Sequence, residues 1–482
     1  MGPESRRFST LGDAHEFMKT VVDRPVEPCE ITLDNGFKLD MHPHFFDDGT
    51  FTNSYDLNWA PEDARAAMRI TPRPESMLVH APGVSASASA TFFTFLDEAS
   101  AIPRQASLNL IINEGRILGM PVVDREALYI RDGELAMDHI AASGELSLNG
   151  RTLTWAGSRT DRDAQSHVYG NGNIGVTLRR DPKTGSKRCL DESSRFTPVM
   201  PAAESRSDVG FMASEDGTFA SVAVAPQGGM DIFAHDLVVR CPEEHVKRKG
   251  ENRVAIKSIG SLRADNLPEF AVSSGPSLKT PDFLAHPINQ DPSLGTRPVF
   301  GDLQAIRMVV YGGLDDRTHI RLFDGRPGSS TFPGVTPAQT RGIIKADIGF
   351  TWGAHVDGGG SARISVVQDG VLRSFGNRQY LKWPRPGQDY FLWEREPPGR
   401  DVPTRFELTG PGRAREPRDL DLGKYLGPVS DIRRQLGGGS ARDRANPESA
   451  PLHPSGGQEN LRNPHGTPTK RSAERGWGIG FS

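Results

Sequence analysis

The sequence predicts an α+β fold: a mixed, mostly antiparallel β-sheet core with a few packed helices, followed by a disordered C-terminal tail. The first observation behind this prediction is that Asp-Gly or Asn-Gly pairs recur between alternating apolar segments, at 35–36, 132–133, 149–150, 216–217 and 369–370. Each pair supplies the positive backbone angles of a tight hairpin turn. The second is the abundance of glycine (52) and proline (37), which favours turn-rich sheets over helical bundles. The third is the small number of helical signals.

Strand signals dominate from about residue 28 to about residue 396. The clearest hairpins are "EALYIRDGELAMDHI" at 126–140 and "ARISVVQDGVLRSFG" at 362–376. In both segments an Asp-Gly pair separates two runs rich in β-branched and other apolar residues, which is typical of paired strands.

Three segments predict helices. "WAPEDARAAMRI" at 59–70 has Pro61 in a first-turn position, followed by acidic residues. "TPAQTRGIIKADIGF" at 336–350 begins with Thr336 as an N-cap, then Pro337 and apolar residues at helical spacing. A third helix is predicted at 420–436.

The chain is predicted to comprise four regions. An N-terminal extension packed on the core covers 1–76, the main domain 77–400 and a helical extension 401–436. The remainder, 437–482, is rich in Gly, Pro, Ser, Asn and charge, and cannot bury enough apolar surface to offset the entropy of ordering.

The bulk numbers exclude several functional classes. A net charge of −4 over 482 residues gives no electrostatic reason to bind nucleic acid or an anionic membrane. No apolar run is long enough to span a bilayer, and no secretory signal follows the first arginines, so a cytoplasmic location is expected unless a leader precedes this sequence. Cys29, Cys189 and Cys241 form no CxxC pair and are expected to be isolated buried thiols, with one disulfide as the alternative. No cofactor or metal is expected.

One histidine-rich stretch, "KLDMHPHFFDD", has the residue types of a metal site. It offers the candidate ligands Asp40, His42, His44, Asp47 and Asp48. Alternation in a strand would put both histidines on one face, but no third ligand has the spacing of a metal motif, so an exposed edge strand is the favoured interpretation.

The hexapeptide GGGSAR occurs twice, at 358–363 and 437–442. The second copy opens the low-complexity tail and is interpreted as a linker. The first follows Asp357 at the end of a predicted strand. Its three glycines, 358–360, allow a ligand to approach the backbone and present several N–H groups, and Ser361 adds a hydroxyl. Such a group suits a sugar with an anionic substituent, although a glycine turn capped by Asp357 is an equally open reading of these residues.

The segment "HVDGGGSA" resembles the LDGGGS signature of the phosphodiester glycosidase family. Further resemblances follow in the family's order, over roughly 77–385: "ATFF", "LNLIINEGRILGMPVVDREALYIRDGEL", "SSGPSL", "IRMVVYGGLDDRTHIRLFDGRP" and "PGVTPAQTRGIIKADIGFTWGAHVDGGGS". This resemblance implies a phosphodiester-glycosidase-like fold and hydrolysis of the bond between a sugar's anomeric carbon and a phosphodiester. The implied partner is a glycan or sugar-phosphate substrate, and the family is often secreted or lumenal. Homo-oligomerisation stays open.

The resemblance also implies roles for individual residues. Asp357 is the first candidate for the catalytic carboxylate, and Asp324 in "LFDGRPG" is the second. The candidate substrate-binding residues are Arg307 and Arg326 for the phosphate, Arg159 and Arg162 in "SRTDR", Ser89 and Thr91 near the Phe-Phe pair, and the loop residues Gly358, Gly359, Gly360 and Ser361.

Departures from the family pattern keep other functions open. Ser89 and Ala90 stand where the family has Asn and Gly, and Met308-Val309 replace Thr-Ala. The chain could therefore be a non-catalytic binder of carbohydrate or cell-envelope glycan, or a hydrolase of other phosphate-linked glycans or nucleotide sugars.

Overall fold

The structure is a computed structural model. It describes residues 5–8, 23–33, 36–75, 77, 80, 82–90, 93–94, 106–107, 109–121, 123–157, 164–169, 178–180, 187–189, 202–213, 219–228, 230, 237–286, 289, 300–326, 329–368, 371–376, 381–382, 390–393 and 402–410. Thr91, Arg159, Arg162, the third predicted helix, the predicted tail and the turns at 216–217 and 369–370 lie outside the described residues.

The strands are given in chain order. The first half of the chain has β1 (Ser5–Phe8), β2 (Cys29–Thr32), β3 (Lys38–Phe45), β4 (Phe51–Trp59), β5 (Arg65–Glu75), β6 (Val84–Ser89), β7 (Phe93–Thr94), β8 (Ala106–Ser107), β9 (Ile111–Asn113), β10 (Arg116–Gly119), β11 (Arg125–Arg131), β12 (Glu134–Ile140), β13 (Ser143–Leu148), β14 (Arg151–Gly157), β15 (Ser166–Tyr169), β16 (Leu178–Arg180), β17 (Lys187–Cys189), β18 (Ala202–Ala213) and β19 (Phe219–Gly228). The second half has β20 (Leu237–Pro242), β21 (Arg253–Ile256), β22 (Ser258–Ile259), β23 (Leu262–Arg263), β24 (Phe270–Ser273), β25 (Arg307–Gly313), β26 (Thr318–Phe323), β27 (Phe350–Gly358), β28 (Arg363–Gln368), β29 (Val371–Gly376), β30 (Leu381–Lys382), β31 (Tyr390–Trp393) and β32 (Val402–Thr409). Helix α1 spans Pro337–Asp347, and 3₁₀ turns lie at Glu243–His245 and Gly359–Ser361.

Three sheets and a barrel organise these strands. The first sheet has the order β2-β3-β4-β26-β25-β27, the second β29-β28-β6-β32-β5 and the third β10-β9-β24-β11-β12. A closed seven-stranded barrel has the order β13-β14-β15-β20-β18-β19-β21. The three sheets are antiparallel throughout, and the barrel contains one parallel pair, β14 with β15. Smaller sheets pair β1-β31-β30, β16-β17, β22-β23 and β7-β8.

The predicted α+β class is wrong, because strands make up 57% of the described residues and helices 7%, with a single α-helix among them. The segment at 59–70 accounts for part of the error. A turn follows Trp59, and β5 then runs antiparallel to β32. Ala64, Ala66 and Met68 alternate with less buried residues, so the period of two that packs against the core prevails over the helical preference of alanine.

Helix α1 confirms the helix predicted at 336–350. Thr336 Oγ1 accepts the N–H of Gln339, and the Gln339 side chain accepts the N–H of Thr336, forming a capping box. Pro337 lies in the first turn of the helix. The buried side chain of Ile344 packs against one face of the first sheet.

Replacing Thr336 by Ala is expected to destabilise the protein by about 1 kcal/mol, because it removes the N-cap acceptor. Urea unfolding of the full chain measures this loss. Thr336→Ser is the matched control, since it keeps the hydroxyl and is expected to keep most of the stability. Equal losses in both variants would contradict the capping role.

Two predicted hairpin turns are confirmed by their backbone angles. Asp132 and Gly133 join β11 to β12 with φ of 54° and 80°, and Asn149 and Gly150 join β13 to β14 with φ of 54° and 85°. Two successive positive angles match the turn that these residue pairs favour.

The two largest hydrophobic cores of the described residues lie between these layers. The larger core combines apolar residues from all three sheets, such as Val310, Phe406 and Leu128. The other face of the third sheet packs against the barrel through residues such as Ala127 and Trp155. The third sheet is therefore shared by both cores.

Strand pairing connects three of the regions that were predicted from the sequence. β4, from the N-terminal region, pairs with β26 of the main domain, and β32, from the C-terminal region predicted to be helical, pairs with β5 and β6. Strands from all three regions thus share two sheets. Cys241 is buried as predicted, whereas Cys29 lies exposed on the edge strand β2. Among the described helices, none has the length and apolar character needed to cross a membrane.

Candidate functional site

Three of the predicted site residues lie at one end of the first sheet. Arg307, the first residue of β25, pairs with Phe323 at the end of β26 and with Gly358 at the end of β27. Asp324 directly follows Phe323, and Asp357 directly precedes Gly358. Because neighbouring strands are about 4.8 Å apart, the backbones of the two aspartates lie about 10 Å apart, on either side of Arg307.

Asp357 is buried and held by its own loop. Its Oδ1 accepts the N–H of Gly358 at 2.8 Å, and the Ser361 hydroxyl lies 2.8 Å from the same oxygen. The 3₁₀ turn at Gly359–Ser361 brings Ser361 back to Asp357, and it starts with Gly359 at a φ of 65°, which favours glycine. The DGGGS sequence therefore fixes the orientation of one carboxylate.

The loop glycines were expected to present several N–H groups to a ligand, but two of these N–H groups donate to acceptors within the protein. The N–H of Gly358 donates to Asp357, and the N–H of Gly359 donates to the carbonyl oxygen of Ile306 at 3.0 Å. One glycine amide thus orients Asp357, and another attaches the loop to Ile306, the residue before β25.

Arg307 is a fully buried guanidinium beside this loop. Its Nε donates to the carbonyl of Val335 at 2.8 Å and its Nη2 to the carbonyl of Leu303 at 2.7 Å. Its guanidinium carbon lies 5.5 Å from the centre of the Phe300 ring. Burial lowers the pKa of Arg307 to about 9.

Asp324 is anchored by β4. Its N–H donates to the carbonyl of Asn53 at 2.8 Å, and its carbonyl accepts from Thr52 Oγ1 at 2.7 Å. Its carboxylate accepts the N–H of Gly325 at 2.8 Å, as a turn carboxylate does. The backbone contacts place this carboxylate firmly at the same end of the sheet as Asp357.

Arg326 is engaged in an ion pair that the sequence does not predict. Its Nε and Nη2 lie 2.9 and 2.7 Å from the two carboxylate oxygens of Asp23, and the Ser329 hydroxyl lies 2.7 Å from Asp23 Oδ2. Asp23 and Arg326 are both largely buried by this contact, with side chains 8% and 5% exposed.

Ser89 joins the site from the second sheet. Its Oγ accepts the N–H of Arg363 at 3.3 Å and lies 3.9 Å from the sulfur of Met308. Because Arg363 follows Ser361 by two residues, Ser89 is next to the glycine loop, where the family resemblance predicts a polar side chain.

Comparisons with known proteins give no family. No family model matches the chain, and no curated protein matches it. Among solved structures, a hypothetical protein from Synechocystis is similar with a TM-score of 0.49 and 13% identity, over 80% of this chain and 64% of that one. A Burkholderia pseudomallei protein described only as a putative exported protein has a TM-score of 0.45 and 16% identity, over 74% of each chain. The catalytic domain of zebrafish N-acetylglucosamine-1-phosphodiester alpha-N-acetylglucosaminidase has a TM-score of 0.33 and 12% identity, over 82% of this chain and 89% of that one. Likeness at this level is a distant one of fold and does not establish function.

Sequence reasoning missed a buried histidine beside the predicted loop. His355 precedes Asp357 by two residues and packs against the rings of Phe283 and Phe300, at 5.6 and 5.3 Å between centroids. Burial and the nearby Arg307 lower the pKa of His355 well below its ordinary value, so the ring is neutral. The signal was visible in "GAHVDGGGS", where alternation gives positions 355 and 357 the same parity.

A second missed feature is a charged network under helix α1. Asp56 on β4 is buried, with its carboxylate 3.1 Å from the Tyr311 hydroxyl, 3.2 Å from His319 Nδ1 and 3.1 Å from Arg321 Nε. Arg321 also contacts Asp347, the last residue of α1, at 2.7 Å. The signal was the presence of His319 and Arg321 in an otherwise apolar strand, since buried charges are normally paired.

Asp56 and His319 shift each other's pKa in this network. Burial alone raises the pKa of Asp56, but Arg321 and His319 outweigh it and hold the pKa below the ordinary 3.8. For His319, burial lowers the pKa, but the carboxylates of Asp56 and Asp315 outweigh it and raise the pKa above 6.5. Both groups are therefore charged over a range of mildly acidic pH.

The histidine pair on β3 lies on one face, as the alternation predicts, with ring centroids 5.0 Å apart. Burial and the nearby Arg321 lower the pKa of His44 to about 4, and its Nε2 lies 2.9 Å from the Ser54 hydroxyl. Within the described part of the chain, no three His, Cys, Asp or Glu side chains are grouped as metal ligands would be.

A cavity of about 330 Å³ lies at the opposite end of the first sheet. Its lining includes Trp59, Trp352 and Arg317, and the turn between β11 and β12 closes one side. None of the predicted site residues lines it, so the cavity is separate from the Asp324–Asp357 end.

Proposed function

We propose that this chain is a glycoside hydrolase that cleaves the bond between a sugar's anomeric carbon and a phosphodiester. The observation that carries the proposal is that the strand ends bearing Asp324 and Asp357 lie on either side of the buried Arg307. Two carboxylates and a guanidinium are the groups that this reaction requires.

The chemistry follows from the leaving group. A phosphate monoester departs as a stable anion, so the reaction depends less on a strong general acid than cleavage of an ordinary glycoside does. In the proposed step, Asp357 accepts a proton from water as the water oxygen bonds to the anomeric carbon. The bond from that carbon to the phosphate oxygen breaks, and its electron pair leaves with the phosphate, which Arg307 stabilises.

In this proposal Asp324, on the other strand beside Arg307, stabilises the positive charge that develops on the sugar.

The test is incubation of the full chain with a panel of sugar-1-phosphodiesters in ¹⁸O-labelled water. The expected products are a free sugar that carries the label and an unlabelled phosphate monoester. Label in the phosphate would mean cleavage of the phosphorus–oxygen bond and would favour a hydrolase of other phosphate-linked glycans or nucleotide sugars. No product across the panel would reject the enzyme.

A second candidate is a non-catalytic glycan binder. The observation in its favour is that Arg326 and two loop amides are already engaged within the protein. Sugar binding by calorimetry without turnover would support this alternative and contradict the hydrolase.

A further inference from the structure

We infer that Arg326 and Ser329 form a binding site for a phosphoryl group and that the chain's own Asp23 fills it. Three donors contact the Asp23 carboxylate: Arg326 Nε and Nη2 at 2.9 and 2.7 Å, and the Ser329 hydroxyl at 2.7 Å. A guanidinium that holds two oxygens side by side, with a hydroxyl beside it, binds a carboxylate and a phosphate in the same way.

The site is built without Asp23. The N–H of Arg326 donates to the carbonyl of Phe332 at 2.6 Å, and the N–H of Ser329 donates to the carbonyl of Arg326 at 3.0 Å. Ser329 Oγ accepts the N–H of Phe332 at 2.9 Å, and this leaves the hydroxyl proton to point at an anion. The N–H of Phe51 on β4 donates to the carbonyl of Thr331 at 2.9 Å. These bonds belong to the loop after β26 and to β4, so they hold the loop backbone at Arg326 and Ser329 independently of Asp23.

The segment that carries Asp23 has a different attachment. Among the described contacts of residues 23–26, the hydrogen bonds beyond the Asp23 carboxylate go to one side chain. Asn53 donates to the carbonyl of Arg24 at 3.1 Å and accepts the N–H of Val26 at 3.0 Å. The described hydrogen bonds of this segment thus go to three side chains, Arg326, Ser329 and Asn53. Within the described part of the chain, residues 23–28 join no strand pair, while Val26 packs against the larger core.

The position links this site to the proposed reaction. Arg326 follows Asp324 by two residues, at the same end of the first sheet as Asp357. A phosphoryl group bound by Arg326 would therefore lie at the sheet end that carries Asp324 and Asp357, and Asp23 would compete with it. This competition rests on the proposed function, whereas binding of a free anion by Arg326 and Ser329 does not.

The experiment compares anion binding by the full-length chain and its Asp23→Ala variant, with inorganic phosphate as the probe in calorimetry and thermal unfolding. We expect Asp23→Ala to bind phosphate at least about tenfold more tightly than the wild type, because the competing carboxylate is gone. Phosphate should also raise the unfolding temperature of this variant more than that of the wild type. Asp23→Ala combined with Arg326→Gln should lose the gain.

The matched control is Asp265→Ala, which removes one exposed carboxylate far along the chain and changes the net charge equally. If Asp23→Ala binds phosphate no better than this control, the pair is a structural ion bridge and the inference is wrong. Asp23→Asn provides the same comparison with the side-chain shape preserved, should the alanine variant fold poorly. Phosphate binding is read without turnover, so its failure is separate from a failure to release sugar.

Discussion

Replacing Asp357 by Asn is expected to slow release of sugar from a sugar-1-phosphodiester by about 10²–10⁴-fold, the usual contribution of a positioned general base. The substitution removes the charge but keeps the shape. The amide oxygen of the introduced asparagine can still accept from Gly358 and Ser361, which both contact Oδ1 of the aspartate. The loss should therefore appear in kcat, with the unfolding temperature close to that of the wild type.

Asp324→Asn is the matched variant for this prediction, because Asp324 also ends a strand and also accepts the N–H of the next glycine. If Asp324 steadies positive charge and Asp357 activates water, only Asp357→Asn removes the acidic limb of the rate profile with pH. Full activity of Asp357→Asn would contradict the assignment, and loss of the acidic limb only in Asp324→Asn would exchange the two roles.

Short-range rules predicted the local structure well. Asp132-Gly133 and Asn149-Gly150 form the expected turns, and Thr336 caps the expected helix, because each outcome depends on residues within a few positions. The same rules failed at 59–70, where proline, acids and alanine suggested a helix. There, pairing with β32 decides the structure, and that strand lies near the other end of the described chain.

At the candidate site, too, local patterns predicted part of the structure and long-range pairing decided the rest. The ordered motifs predicted that Asp324, Arg307 and Asp357 belong together, and the register of β25 with β26 and β27 brings them to one sheet end. The partner of Arg326 could not be predicted, because Asp23 is 303 positions away and lies in no recognisable motif. The contact between Asp56 and His319 spans 263 positions. A local pattern identifies a residue that needs a partner, and only the sheet order supplies it.

The second large effect concerns stability. Asp56→Asn is expected to destabilise the protein by about 3–5 kcal/mol, the usual consequence of removing one partner of a buried ion pair. Arg321 and His319 both lose the Asp56 charge and keep only Asp347 and Asp315 as carboxylate partners, while the Tyr311 hydroxyl keeps an acceptor in the amide oxygen. Urea unfolding of wild type and variant measures the difference. Asp40→Asn is the matched control: Asp40 lies directly opposite Asp56 on β3, but burial raises its pKa, so loss of its charge should cost little.

The pH dependence of that difference identifies its cause. The folded pKa of Asp56 is lowered from 3.8, so its stabilisation is present above that value and disappears as the pH falls through the folded pKa. The folded pKa of His319 is raised from 6.5, so its stabilisation is complete below 6.5 and is lost as the pH rises through the folded value. The network therefore contributes most between 3.8 and 6.5. The cost of Asp56→Asn should be larger at about pH 6 than at about pH 9, and the part that remains at the higher pH belongs to Arg321, whose charge persists. An identical cost at both values would mean that His319 takes no part as a cation, and that the ion pair with Arg321 alone holds Asp56.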